Sequence, residues 1–167
     1  MKNTKFLVCC WINILLITSC THSEMEFKSD YFTVSNDSRG SIIGLSGPHN
    51  YLSKTQEAPL LSLKSGEHMF APDRAVWHED RNLMTLTYGS PDRFAEVIVQ
   101  AKNTHITFDL AHLEGFEAVE WVIWGPYPTT IGNIVGETVG VVRNDEFAIG
   151  IQSLNIKTLG GYPTNED

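Results

Sequence analysis

Residues 119–161, VEWVIWGPYPTTIGNIVGETVGVVRNDEFAIGIQSLNIKTLGG, carry the densest aromatic, glycine and β-branched signal in the chain. Two β-rich runs in it, TVGVVR (138–143) and EFAIGIQ (146–152), flank Asn144-Asp145, residue types that tolerate the positive φ of a two-residue turn. That turn sets the register: Arg143 opposite Glu146, Val142 opposite Phe147, Val141 opposite Ala148, Gly140 opposite Ile149 and Val139 opposite Gly150. One face then offers Val142, Phe147, Ile149 and Ile151, the other Val139 and Val141 across from small residues. A solvated face would alternate with polar residues, so the pattern predicts a central hairpin buried on both sides. Glycine weakens a strand, so Gly140 and Gly150 are expected where a neighbouring group needs the room.

Immediately upstream, residues 119–124 form another expected strand, stopped by Gly125-Pro126 and followed by Pro128. Proline cannot donate to a ladder and pushes its predecessor toward extended geometry, so GPYPTTIGN (125–133) reads as a loop. Trp121, Trp124 and the loop residue Tyr127 are candidates for a flat platform on which a sugar ring stacks. The competing reading places these large aromatics in the core.

Residues 96–102 and 105–110 form a second hairpin across Asn103-Thr104. Its register pairs Ala101 with Ile106, Val99 with Phe108 and Val97 with Leu110, all on one face. Ile98, Gln100 and Lys102 share the other face with His105, Thr107 and Asp109, so this hairpin is half solvated. Further runs at 31–35 and 41–45 flank NDSRG (36–40), rich in reversal-forming residues, and runs at 75–78 and 83–88 flank EDRN (79–82). GSPDR (89–93) is a turn, and residues 47–63 are a loop with at most one strand or helical turn. About eight strands, no long helix and no repeat of ~20–50 residues predict an all-β fold, an antiparallel β-sandwich.

Residues 1–19 read as a targeting segment: Lys2 and Lys5, then an apolar run too short to span a bilayer, then Ile17-Thr18-Ser19-Cys20. An apolar residue, two small residues and a cysteine resemble the bacterial lipobox, which implies lipidation of Cys20, a cell-envelope location and attachment to the outer membrane. The alternative is a cleaved secretory signal without lipid. Residues 20–30 are polar and acidic and read as a tether, with the sandwich domain over 31–167. Glu24 and Glu26 resemble, loosely, surface-export signals of Bacteroidetes lipoproteins. Cys9 and Cys10 fall inside the apolar segment, so the exported part has only Cys20 and no disulfide. The formal charge is −8, and loss of Lys2 and Lys5 takes it to −10, which argues against a nucleic-acid partner.

Chemistry is sparse. His49, His68, His78, His105 and His112 are scattered without HExxH or cysteine partners, so neither a metal nor another cofactor is expected. Asp109, His112, Glu114, Glu117 and Glu120 form the best polar cluster, either a set of carboxylates for glycoside chemistry or a solvated connection. Glu137, at the entrance to the 138–152 hairpin, is a second candidate carboxylate. Acyl-transfer and nucleotide motifs are missing.

The strings WGPYPTTI (124–131), GETVGVVR (136–143) and FAIGIQSLNIKTLGG (147–161) resemble the amino-terminal β-sandwich region of large secreted Bacteroidetes lipoproteins associated with glycan breakdown. That resemblance implies a galactose-mutarotase-like supersandwich ahead of a longer catalytic region, which 167 residues leave no room for, so the chain is expected to be truncated. No family catalytic residue maps onto a position here. Three readings stay open: a glycan-binding or scaffolding module, with Trp124 and Tyr127 stacking and Glu137 and Glu120 accepting hydrogen bonds; a glycoside hydrolase fragment lacking its catalytic domain; and a structural envelope protein with an exposed apolar patch.

Overall fold

The structure, a computed structural model, describes residues 24–53, 58–135 and 140–158. It is all-β, and every strand pairing in it is antiparallel. One sheet runs in the order β1 (Met25–Lys28), β2 (Thr33–Asn36), β3 (Ile42–Ser46). A second places β4 (Ser62–Ser65) between β5 (His68–Phe70) and a later strand, β10 (Trp121–Ile123). The largest is a meander of β6 (Arg74–His78), β7 (Leu83–Thr87), β8 (Phe94–Ala101) and β9 (Ile106–Glu114). The last is β11 (Ile134–Val135), β12 (Val141–Arg143) and β13 (Ala148–Gly150). Strands β1, β5 and β11 were not expected, and β4 begins at the end of the 47–63 stretch read as a loop with at most one strand.

The β1–β3 sheet packs on the β6–β9 meander in the manner of a sandwich. Alternation drives this: Met25 and Phe27 point inward from β1, Ala95, Val97 and Val99 from β8. Phe27 sits edge-on to Trp77 at 4.9 Å and to Phe108 at 6.1 Å, so one ring joins both edges of the meander. Leu60, Leu61, Leu63, Met84 and Leu86 are fully buried, each contributing ~1.5–3 kcal/mol through burial. The Tyr88 hydroxyl donates to the Leu61 carbonyl at 3.1 Å, which ties the meander to the chain entering β4.

The 96–110 hairpin forms in the expected register, with Ala101 opposite Ile106, Val99 opposite Phe108 and Val97 opposite Leu110. A bulge then shifts the pairing so that Glu96 faces His112. The NDSRG reversal also forms: Asp37 Oδ1 accepts the amides of Arg39 and Ser41, each at 2.9 Å, and Gly40 takes φ +86°.

Two expectations need correction. Residues 25–28 are no tether but a sheet strand, because Met25 and Phe27 alternate with charged residues and fill the core. The 138–152 hairpin is shifted by two residues: Arg143 faces Ala148, Val142 faces Ile149 and Val141 faces Gly150. The loop is therefore four residues, Asn144 to Phe147, closed by Asn144 N–H to the Phe147 carbonyl at 3.0 Å. Asn144 Oδ1 also accepts the amides of Glu146 and Phe147, at 3.0 and 2.7 Å, so the side chain builds the turn itself. Phe147 leaves the strand and stacks on Tyr51 at 5.0 Å and 8°, with Phe32 at 6.3 Å beyond. A Cβ on Gly47 would meet its ring at 2.6 Å, so that glycine makes the seat. The sheet carrying this hairpin is peripheral, with exposed residues in every strand, and is not buried on both sides. Gly150 does make room, since a Cβ there would meet Val141 Cγ2 at 2.8 Å.

Candidate functional site

Strand alternation decides what becomes of the three candidate aromatics. Val122 and Trp124 pack against the core, and Trp124 lies 6.4 Å from Phe108. Trp121, an odd number of positions from Trp124, points the other way and is 40% exposed. Tyr127 is held inward: its hydroxyl donates to the Leu60 carbonyl at 2.6 Å, and burial pushes its phenol well above the ordinary value. Trp121, Trp124 and Tyr127 therefore do not assemble into one platform, and the expected stacking pair of Trp124 and Tyr127 is partly buried against the core. The Gly125-Pro126 peptide, which is cis, leads the chain into this position.

Glu120 stands beside Trp121 and is partly engaged: its amide donates to the Lys64 carbonyl at 2.9 Å, and its Oε1 accepts the Gly66 amide at 3.2 Å. Trp121 faces Lys64 across the β10–β4 ladder. Glu137 and Cys20 lie outside the described residues. In the acidic cluster, His112 and Glu114 meet at 3.2 Å on the exposed outer side of β9, while Glu120 is bound to the β4–β5 turn. Among the described residues no three His, Cys, Asp or Glu side chains gather as a metal site would need.

A concavity lies elsewhere on the described residues. An open groove of about 860 Å³ runs between β1 and β6, with Glu24 and Glu26 on one wall, Arg74 and Trp77 on the other and Ser38 and Arg39 at one end. None of Glu120, Trp121, Trp124 and Tyr127 lines it. The sequence held a signal for this groove: EMEFK (24–28) alternates charged and apolar residues as a half-buried strand does, although its acidic composition reads as a tether.

A second surface feature is apolar. Val135 is 73% exposed, Leu154 74% and Ile156 98%, all in or just after the β11–β13 sheet. No protein-family model, curated protein or solved structure matches the chain.

Proposed function

We propose that this chain is a non-catalytic, scaffolding β-sandwich of a cell-envelope glycan-utilisation lipoprotein, anchored through Cys20, whose terminal sheet docks onto a catalytic polypeptide of glycan breakdown. The observation that carries the docking is the exposure of three apolar side chains in or just after the terminal sheet, Val135, Leu154 and Ile156, since apolar surface of this kind marks interaction sites. Support for the partner's class comes from the resemblance of residues 124–161 to glycan-breakdown lipoproteins.

The test titrates the chain with the separately purified product of the adjacent coding sequence. Saturable association, weakened at least tenfold by Leu154→Ser with Ile156→Ser, is the expected result. Association untouched by the pair, or none at all, overturns the proposal. Incorporation of labelled palmitate, lost in Cys20→Ala, is expected from the anchor.

A second reading, direct glycan binding, is favoured by the exposed indole of Trp121, which follows Glu120 in the chain. It places the sugar at Trp121 and Glu120, with Trp124 and Tyr127 as support beneath. A glycan array on which Trp121→Ala abolishes every signal would establish it, and unchanged signals would remove it.

A further inference from the structure

The backbone register on both walls of the β1/β6 groove carries an inference independent of the terminal sheet. In an antiparallel ladder, residues alternate between turning their N–H and C=O toward the neighbouring strand and turning them away. The Ala75 amide donates to the Ser38 carbonyl at 2.7 Å, which assigns Ala75 to the outward-turned set of β6. Trp77, two residues on, shares that orientation, and no backbone partner for it exists among the described residues. On β1, Ser29 N–H donates to the Phe32 carbonyl at 2.8 Å, which fixes Phe27 and Met25 as the residues bonded to β2. Glu26 is therefore turned outward, again without a backbone partner among the described residues. Both β1 and β6 are edge strands, and both line the same groove.

We infer that this groove binds an extended polypeptide segment by strand addition on the Trp77 rung of β6, with the Glu26 edge of β1 as its second wall. Unpaired strand edges are templates for another chain, and here the β2–β3 turn already completes one rung of β6 through Ser38, which stops the incoming strand and sets its register. Charge specifies the segment further. Arg74 on one wall and Glu24 and Glu79 lining the groove have no ion-pair partner among the described residues. The ligand is thus a short strand with an acidic residue opposite Arg74 and a basic one opposite Glu79. An aromatic or aliphatic side chain between them covers the exposed part of Trp77, whose ring is fixed edge-on against Phe27.

The probe is a displayed library of random linear decapeptides, panned against the full chain, followed by synthesis of the enriched peptide with single N-methyl groups at successive positions. Strand addition is expected to give losses of tenfold or more at alternate positions, a shift of the Trp77 amide resonance, and a similar loss for Arg74→Glu, an exposed substitution that leaves the core intact. Leu154→Ser is expected to leave peptide affinity unchanged, which separates this site from the terminal sheet. No enriched peptide, N-methyl tolerance at every position, or a Trp77 shift caused by an oligosaccharide panel and by no peptide would each overturn the inference.

Discussion

Replacing Phe147 with alanine removes the ring that seats the terminal hairpin on the rest of the chain. The ring stacks on Tyr51 at 5.0 Å and lies 6.3 Å from Phe32, and it is half-buried. Half the burial of a phenylalanine side chain is worth about 1 kcal/mol, at roughly 1.5–3 kcal/mol for the whole. Two aromatic contacts add about 0.5–1.5 kcal/mol each. The local cost is therefore ~2–4 kcal/mol, a shift of roughly 30- to 700-fold in the opening of the hairpin at 1.4 kcal/mol per tenfold. Because the Asn144 amide bonds to the Phe147 carbonyl, the ladder's alternation makes Val142 and Ile149 a hydrogen-bonded pair. Hydrogen exchange should accelerate at those two amides by that factor, while Leu86 and Val97 in the meander keep their protection. Unchanged exchange at Val142 and Ile149 would refute the assignment of Phe147 as the seat. Equal acceleration everywhere would refute the view that the terminal sheet opens separately.

Tyr127→Phe leaves the buried Leu60 carbonyl without its donor and should cost ~1–3 kcal/mol by denaturant titration, whereas Trp121→Ala should stay within ~0.5 kcal/mol of the parent. A stability loss at Trp121 as large as that at Tyr127 would contradict their opposite orientations. Burial raises the phenols of Tyr88 and Tyr127 above the unfolded-chain value of 10.0, so the folded state holds protons that the unfolded state releases. Their contribution is complete below about pH 10 and is lost as pH rises above it, by up to about 1.4 kcal/mol per pH unit for each, and Tyr127→Phe should reduce that slope. Equal slopes in parent and variant would show that Tyr127 ionises freely. Asn36 is fully buried with neither amide atom hydrogen-bonded among the described residues, so Asn36→Leu should be neutral or stabilising in thermal melts, and a loss above ~1 kcal/mol would reveal an unseen partner.

The all-β class and the 96–110 hairpin were legible because their signals are local: alternation over seven residues and an Asn-Thr reversal admit one register with Val97, Val99 and Phe108 on a common face. The NDSRG turn was legible for the same reason, since Asp37 closes it within four residues. The 138–152 hairpin was read two residues out of register because an Asn-Asp pair suits a two-residue turn, and only contact with Tyr51, nearly a hundred positions away, tells Phe147 to leave the ladder. Composition likewise marked residues 24–28 as solvated, while the alternating Met25 and Phe27 needed the opposing sheet to reveal their use.

Sequence alone thus determined the extended backbone, the turns and the sandwich-forming alternation, since each depends on neighbours a few residues apart. Tertiary structure decided which aromatics face solvent, because Trp121 and Trp124 are chemically equivalent until β10 is set against β4. It also brought the edges of β1 and β6, some fifty residues apart in the chain, to one groove, a juxtaposition that no local pattern encodes.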